Sequence, residues 1–317
     1  MGRLSRMLII GTVLGLLAAC GGLPAETTAG ETDTPSRTAD VLTLAAAERA
    51  FDSLQALDAA WEDSDCAEVA DLIAPPIAEL AGDTCEATAL GHEMSRFDYT
   101  EPEFYLPSRG ATGTPWFAAL ARVPEPAYFV FTHAKGRWRL ALGPVPVPDE
   151  APEVHVTDAV VPTGDDNPQV TASLVSQRCL TYLTDPTGVN GIRVPAGDAM
   201  RALRDEISRS AAGYRPDKVS VDVRLIADAP SHALALPEGA SLVFHTLRLV
   251  TTQTPGAGRG ELSKPAFSDQ EIRAFAGHGR LGEVTAEELL FLATKVDAAG
   301  RMTTVGMGRQ LASMTNV

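Results

Sequence analysis

The sequence predicts an α+β protein, because helical and strand patterns follow each other in two successive blocks. In each block, apolar residues first recur every three or four positions, as on one face of a helix. They then alternate with polar residues or run together, as in strands. The first block begins near residue 42 and the second near residue 170. Because the second block repeats the order of the first, the sequence also predicts two similar halves.

The first block opens with two predicted helices. From Leu42 onward, six apolar residues fall on one helical face: Ala47, Ala50, Phe51, Leu54, Leu57 and Trp61. A second, short helix is expected after Asp65, which forms a capping-box pattern with Glu68, and Pro75-Pro76 ends it. One further helical turn is expected at residues 77–80.

Strands are predicted next, at residues 96–106, 116–123, 128–132 and 138–142. The last two flank a turn at 134–137 and are typical of a hairpin. The stretch Gly143-Pro144-Val145-Pro146-Val147-Pro148 cannot continue a central strand, because three of its residues lack an N–H donor. We interpret it as a domain boundary or a stiff linker.

The second block predicts helices at 170–183 and 198–211, then strands at 219–225 and 241–252, with a glycine-rich loop at 254–265. Residues 285–296 carry both helix and strand character. We expect them to form a strand that pairs with residues 302–307 across the turn at 298–300.

The N-terminal segment has the layout of an export signal. Arg3 and Arg6 precede an uncharged apolar run over residues 7–17, which is shorter than the ~20 apolar residues that a membrane-spanning helix needs. Leu17-Ala18-Ala19-Cys20 resembles the lipobox of bacterial lipoproteins. That resemblance implies a diacylglycerol on the Cys20 sulfur, cleavage just before Cys20, and anchoring by two acyl chains. The alternative is an ordinary cleaved signal followed by an incidental cysteine.

The remaining chain resembles known folds in two places. The early helices, the short helix from Cys66 and the strand Trp138-Arg139-Leu140-Ala141-Leu142 resemble the NTF2-like fold, in which helices lie in a curved sheet and form a cone. The second half resembles this layout more loosely. The mature chain also resembles a group of uncharacterised actinobacterial lipoproteins through its pattern at 233–239 and 242–247, and that group implies no known activity.

These patterns together predict four segments. Residues 1–19 are a lipoprotein signal peptide, and residues 20–40 are a flexible tether poor in large apolar side chains. Residues 41–148 form one NTF2-like α+β domain, and residues 149–317 form a second α+β domain of similar layout. The expected location is the extracytoplasmic face of the cell membrane.

The charge balance excludes one class of partner. The chain carries 26 basic and 41 acidic residues, a formal charge of −15. Loss of residues 1–19 removes Arg3 and Arg6 and no acid, which leaves −17. Nucleic-acid binding needs clustered basic residues, so it is not expected. The same acidity predicts no electrostatic attraction to anionic lipid headgroups.

Three cysteines remain after Cys20 is assigned to the lipid. Cys66 and Cys85 are 19 positions apart around a predicted helical turn, and disulfides persist outside the cytoplasm. We therefore predict a Cys66–Cys85 disulfide, with three buried thiols as the alternative. Cys179 lies in an apolar helical pattern and is interpreted as a small core residue.

The sequence predicts no catalytic residue, metal site or cofactor. It lacks a G-x-S-x-G elbow, and Ser231-His232 are strand neighbours whose side chains point to opposite faces. Its six histidines form no H-x-H, H-x-x-x-H or H-E-x-x-H pattern. The acidic run 165–167 lacks the spacing of a calcium loop, and 256–260 lacks the Lys-Ser/Thr of a phosphate loop.

Two functions remain open at this stage. The first is a non-catalytic binding or scaffolding module that engages an unknown envelope protein or small ligand. The alternative is a small-molecule carrier or acid–base enzyme that uses a cone cavity lined by Tyr99, Trp116, Tyr128 and His245. Those four residues are equally compatible with an ordinary core. A deep pocket with convergent polar groups would favour the alternative, whereas a filled core would favour partner binding.

Overall fold

Six helices and two antiparallel sheets make an α+β fold in the part of the chain that the computed structural model describes. This part comprises residues 42–107, 114–148, 168–185, 191–226, 229–277 and 279–317. The predicted signal peptide 1–19, Cys20 and the tether 20–40 lie outside it, as does the acidic run 165–167. Residues from Leu42 to Val317 belong to one compact unit.

The first half contains α1 (Leu44–Glu62), α2 (Cys66–Leu72), a 3₁₀ turn (Ile77–Ala81) and α3 (Asp83–Thr88), followed by four strands. The strands are β1 (Glu103–Tyr105), β2 (Trp116–Ala121), β3 (Ala127–Ala134) and β4 (Arg137–Pro146), and they form a sheet in that order. All six apolar residues of the predicted α1 face are buried. Phe51 of α1 packs edge-on against Phe129 of β3, with ring centroids 5.8 Å apart, so α1 covers one face of this sheet.

The second half repeats the α-then-β order. It contains α4 (Pro168–Thr184), α5 (Ala199–Gly213), β5 (Lys218–Leu225), β6 (His232–Ala235), β7 (Ser241–Thr254), the short α6 (Asp269–Glu271), β8 (Val284–Val296) and β9 (Met302–Asn316). The sheet order is β5-β7-β8-β9, and β6 also pairs with β7. The predicted pairing of residues 285–296 with 302–307 is confirmed, and it extends to Asn316.

The two sheets pack against each other. Tyr128 of β3 contacts Phe244 of β7, with ring centroids 5.3 Å apart, and both belong to one buried cluster. Successive strand residues point to opposite faces, so the odd-numbered residues of β7 face away from the first sheet. That face packs on α4 and α5 through Val243, Leu247 and Leu249. The layers therefore run from α1 through the two sheets to α4 and α5.

The strand predicted at residues 96–106 is much shorter in the structure, where only Glu103–Tyr105 form β1. The reason lies in a carboxylate that replaces the neighbouring strand. The N–H of Phe97 donates to Asp58 Oδ1 at 2.8 Å, and the Arg96 guanidinium pairs with Asp58 Oδ2 at 2.9 Å. The alternating aromatic residues predicted that this segment pairs with another strand. In the structure, Asp58 of helix α1 accepts the hydrogen bond from Phe97 that a neighbouring strand would have accepted.

The proline-rich stretch also differs from its interpretation as a linker, because β4 continues through Pro144 to Pro146. β4 lies at the edge of its sheet, where a proline removes no ladder hydrogen bond. The carbonyl oxygens of Pro144 and Pro146 lie directly over Gly308 and Gly306 of β9. This close approach joins the two sheets at the β4 edge.

The predicted disulfide between Cys66 and Cys85 is confirmed. It links the start of α2 to α3, and the Cys85 side chain lies in the core. Cys179 is a free, buried cysteine, as its helical pattern indicated.

We expect the double variant Cys66→Ser/Cys85→Ser to unfold with a free energy about 3 kcal/mol lower than the wild type, because the bridge closes a loop of about twenty residues in the unfolded chain. Urea denaturation measures this difference. Wild-type protein unfolded in a thiol reductant should match the variant. A variant as stable as the oxidised wild type would contradict the expected contribution.

Candidate functional site

A cavity of about 180 Å³ lies where the edge of β4 meets β9. Residues from both halves of the chain line it. Its apolar wall comes from the 3₁₀ turn, from the segment before β1, from the proline-rich end of β4, and from β8. The lining residues are Ile77, Leu80, Met94, Ser95, Phe97, Gly143, Pro144, Pro146, Phe291, Met307, Gly308, Arg309 and Gln310.

The segment 94–97 forms one wall and is fixed at two points. In the amide orientation that satisfies both of its ends, Gln310 accepts a hydrogen bond from Ser95 N at 3.3 Å and donates to the Arg309 carbonyl oxygen at 3.0 Å. Two residues further along, Asp58 holds the N–H of Phe97. These hydrogen bonds tie the segment to β9 on one side and to α1 on the other, so the wall is preformed.

The one cationic side chain among the lining residues, Arg309, is already paired. Its Nε and Nη2 atoms donate to the Glu288 carboxylate at 2.6 and 2.7 Å, and its Nη1 donates to Glu206 Oε1 at 2.8 Å. Burial alone would lower the pKa of the Arg309 guanidinium, but the hydrogen bonds to Glu288 and Glu206 raise it. Since two carboxylates occupy its donors, Arg309 offers no charge to an anionic ligand.

Size and lining decide what the cavity can accept. Pockets for drug-sized ligands measure roughly 300–1,000 Å³, so this cavity is smaller than a typical small-molecule site. It has room for one large apolar side chain. Four of its lining residues, Ile77, Leu80, Phe97 and Phe291, belong to the buried core. Met94 is partly buried beside them, and methionine adapts its shape to different apolar partners.

The residues predicted to line a cone cavity lie elsewhere. Tyr99 packs on Phe129 at 4.9 Å between ring centroids, and Trp116 packs on His232 at 4.7 Å. Burial raises the pKa of Tyr99 to about 12 and that of Tyr128 to about 12, as expected for phenols inside a core. Tyr128 faces the second sheet, whereas His245 lies on the far face of that sheet. The structure therefore does not bring these four side chains to one site.

His245 contacts Cys179, but His245 does not activate the Cys179 thiol as a nucleophile. Its Nε2 atom lies 3.1 Å from Thr294 Oγ1 and 3.8 Å from Cys179 Sγ, and all three side chains are buried. Burial raises the pKa of the Cys179 thiol to about 12 and lowers the pKa of His245 to about 3. A nucleophilic pair needs a thiolate beside an imidazolium or a ready base. Both groups are neutral here, so they act as a polar part of the core.

Three polar atoms between the sheets are buried without a hydrogen-bond partner of good geometry among the described residues: Tyr105 Oη, His232 Nε2 and Thr246 Oγ1. Burial raises the pKa of the Tyr105 hydroxyl, and the nearby Glu103 carboxylate raises it further. His232 lies opposite Phe244 in the β6–β7 register, and Tyr105 packs near Tyr128, which touches Phe244. The three residues therefore share one inter-sheet layer. Buried polar groups normally have a partner, so this layer is a second place where a ligand group would be stabilised.

Two features are absent from the described ranges: a cluster of metal-binding side chains and a membrane-spanning helix. Residues 42–317, apart from the gaps given above, contain no group of three or more His, Cys, Asp or Glu side chains that could hold a metal ion. Within the same ranges, no helix combines the length and apolar character needed to cross a membrane.

Comparison with known proteins places the chain in a family. Residues 39–313 match the family model described as "Domain of unknown function (DUF8094)". The searches of curated proteins and of solved structures found no match. The matched region includes every residue that lines the cavity and takes up more than half of the 317 residues. The chain therefore belongs to the DUF8094 family.

Proposed function

We propose that this protein is a lipid-anchored, extracytoplasmic binding module without catalytic activity, held at the cell envelope by the lipid on Cys20. The lipobox-like Leu17-Ala18-Ala19-Cys20 supports the anchor. The Cys66–Cys85 disulfide supports an oxidising location, since structural disulfides are rare in the cytosol. The neutral, enclosed Cys179–His245 pair supports a binding role over nucleophilic chemistry.

The cavity at the β4–β9 junction is the proposed binding site, and it takes an apolar side chain of an envelope protein. Its volume of about 180 Å³ is the observation that carries this proposal. A small preformed pocket that combines apolar side chains with polar groups, as this one does, suits a side chain with an apolar body, and protein interfaces concentrate their binding energy in such pockets. Ser95 and Gln310 supply the polar rim, and Met94 supplies an adaptable wall.

The proposal includes a fold relationship. Each half of the protein has helices followed by an antiparallel sheet, and in each half the helices cover one face of that sheet. This arrangement supports the proposal that the first half has an NTF2-like layout and that the second half has a looser version of it. The lipobox and the patterns at 233–239 and 242–247 support a kinship with actinobacterial lipoproteins.

Site-specific photocrosslinking tests the binding site. A photoreactive amino acid at the exposed Ser95 position should give a defined adduct in cells, and mass spectrometry should identify the same envelope protein repeatedly. The matched control places the photoreactive residue at exposed Lys135, in the β3–β4 turn away from the cavity. Met94→Glu should abolish the Ser95 adduct, because a carboxylate is costly to bury in an apolar pocket.

Three results would overturn the site. The first is a crosslink yield at Ser95 no higher than at Lys135. The second is an unchanged Ser95 crosslink in Met94→Glu, and the third is a Ser95 crosslink to unrelated abundant proteins only. Circular dichroism of the purified Met94→Glu variant checks that its fold is unchanged.

A carrier or acid–base enzyme is the second candidate, and the inter-sheet polar layer favours it. Tyr105 Oη, His232 Nε2 and Thr246 Oγ1 could together bind one small neutral ligand, because burial lowers the pKa of His232 to about 4 and leaves its ring uncharged. Native mass spectrometry of protein taken from membranes should then show a bound small molecule that is lost in Tyr105→Phe. A ligand-free wild type would remove this candidate.

A further inference from the structure

Four exposed cations gather at one corner of the second half. Arg215 and Lys218 line a surface groove where α5 runs into β5. Lys264 lies in the loop between β7 and α6, with its Nζ 5.5 Å from the centre of the Tyr214 ring. Arg259 lies in the same loop. We call Arg215, Lys218, Arg259 and Lys264 the basic corner.

A buried carboxylate holds this corner together. Asp217 Oδ2 accepts hydrogen bonds from the N–H groups of Ser263 at 2.7 Å and Lys264 at 3.1 Å, and Oδ1 accepts one from Gly256 N at 3.2 Å. Gly256 lies against the Pro216 carbonyl oxygen, where an added Cβ would come within 2.7 Å. The loop of Arg259 and Lys264 is therefore fixed beside Arg215 and Lys218.

The four cations carry no ion pair within the part of the chain that the structure describes. Other described arginines, such as Arg248 and Arg309, are each shared between two carboxylates. Asp217 is buried within the corner, and both of its carboxylate oxygens accept hydrogen bonds from backbone N–H groups. Glu283 is a further acid near the corner, since it accepts a hydrogen bond from Thr254, the strand partner of Lys218. Glu261 in the same loop is paired with Arg280 at 3.0 Å. The corner thus presents a local excess of positive charge on a protein with a formal charge of −15.

We infer that the basic corner binds the phosphate groups of anionic phospholipids and orients the protein on the membrane that its lipid anchors it to. The orientation rests on the proposed Cys20 anchor, whereas the lipid binding of the corner does not. Charge complementarity identifies the partner, because clustered Lys and Arg next to a membrane are attracted by anionic headgroups. The overall negative charge opposes this only weakly, since charges further away than the ~8 Å Debye length are screened at physiological salt.

Vesicle sedimentation tests the corner independently of the anchor. The mature chain with Cys20→Ser, which cannot carry the lipid, is mixed with vesicles of equal parts phosphatidylglycerol and phosphatidylcholine, or of phosphatidylcholine alone. We expect binding to the anionic vesicles only, and we expect it to fall as salt is raised. Each Lys or Arg near the surface is worth roughly a fivefold change in affinity, so Arg215→Glu/Lys218→Glu should weaken binding by at least about 25-fold.

The matched control is Arg49→Glu/Lys135→Glu, which changes the net charge equally at two exposed cations of the first half, on α1 and in the β3–β4 turn, whereas the basic corner lies in the second half. It should leave vesicle binding within about twofold of the Cys20→Ser chain, because charges beyond the Debye length are screened. The inference is wrong if both double variants lose binding equally, if neutral vesicles bind as well, or if the protein binds inorganic phosphate but no vesicle. A result of this kind would leave the proposed anchor and cavity untouched.

Discussion

Gly308→Ala should lower the free energy of unfolding by about 2 kcal/mol or more, the cost expected when a well-packed contact is overfilled. An added Cβ at Gly308 would lie 2.7 Å from the Pro144 carbonyl oxygen, and one at Gly306 would lie 2.7 Å from that of Pro146. Both obstacles are backbone atoms, so no side chain can rotate out of the way. The clash would push β4 away from β9 and open the junction at which the proposed cavity lies.

Gly260→Ala is the matched control, because nothing lies within 4 Å of an added Cβ there. It should change the stability by less than about 0.5 kcal/mol. Urea denaturation of the three proteins in parallel gives both differences. If Gly308→Ala were as stable as Gly260→Ala, the close contact between β4 and β9 would be wrong.

Acidification from pH 6.5 to pH 4.5 should destabilise the protein by several kcal/mol through two buried histidines. Burial lowers the pKa of His245 to about 3 and that of His232 to about 4, whereas an unfolded histidine titrates near 6.5. Between these values the unfolded chain binds more protons than the folded protein, so stability falls as the pH falls. Each histidine costs about 1.4 kcal/mol for every pH unit below 6.5, until its folded pKa is reached.

His245→Asn isolates this contribution, because asparagine cannot take up the proton. Urea denaturation measures the stability at each pH. The His245→Asn variant should lose less stability between pH 6.5 and pH 4.5 than the wild type does. Cys179→Ala is the control, since it removes a neighbour of His245 and disturbs the same packing without removing a group that titrates in this range. Equal pH dependence in His245→Asn and the wild type would contradict the buried, neutral state of His245.

The sequence predicts the regular elements well where one periodicity dominates. The six apolar residues of α1 recur at helical spacing, and all six are buried. Val219, Val221 and Val223 alternate with polar residues, and they lie in β5. The disulfide was predictable as well, because the spacing of Cys66 and Cys85 suits a loop between two short helices. These signals are local, and the structure preserves them.

The cavity could not be predicted in the same way. Its lining comes from five separate stretches between Ile77 and Gln310, so no local pattern connects them. One signal was available in Gly306-Met307-Gly308. Glycines at alternate positions of a strand indicate that another backbone approaches closely, which is what the β4 carbonyl groups do. The prediction of a strand over 96–106 was wrong for a related reason. The residue that accepts the hydrogen bond from Phe97 N–H is Asp58, which lies far away in sequence.

The proposed anchoring at the cell envelope rests on Cys20, and intact-mass spectrometry of the detergent-extracted membrane fraction tests it most directly. We predict a chain that begins at residue 20, carries the added mass of a diacylglycerol, and after denaturation exposes one free thiol, that of Cys179, before reduction. Recovery of the protein from the culture medium with an unmodified Cys20, or with a start elsewhere in the chain, would contradict the account.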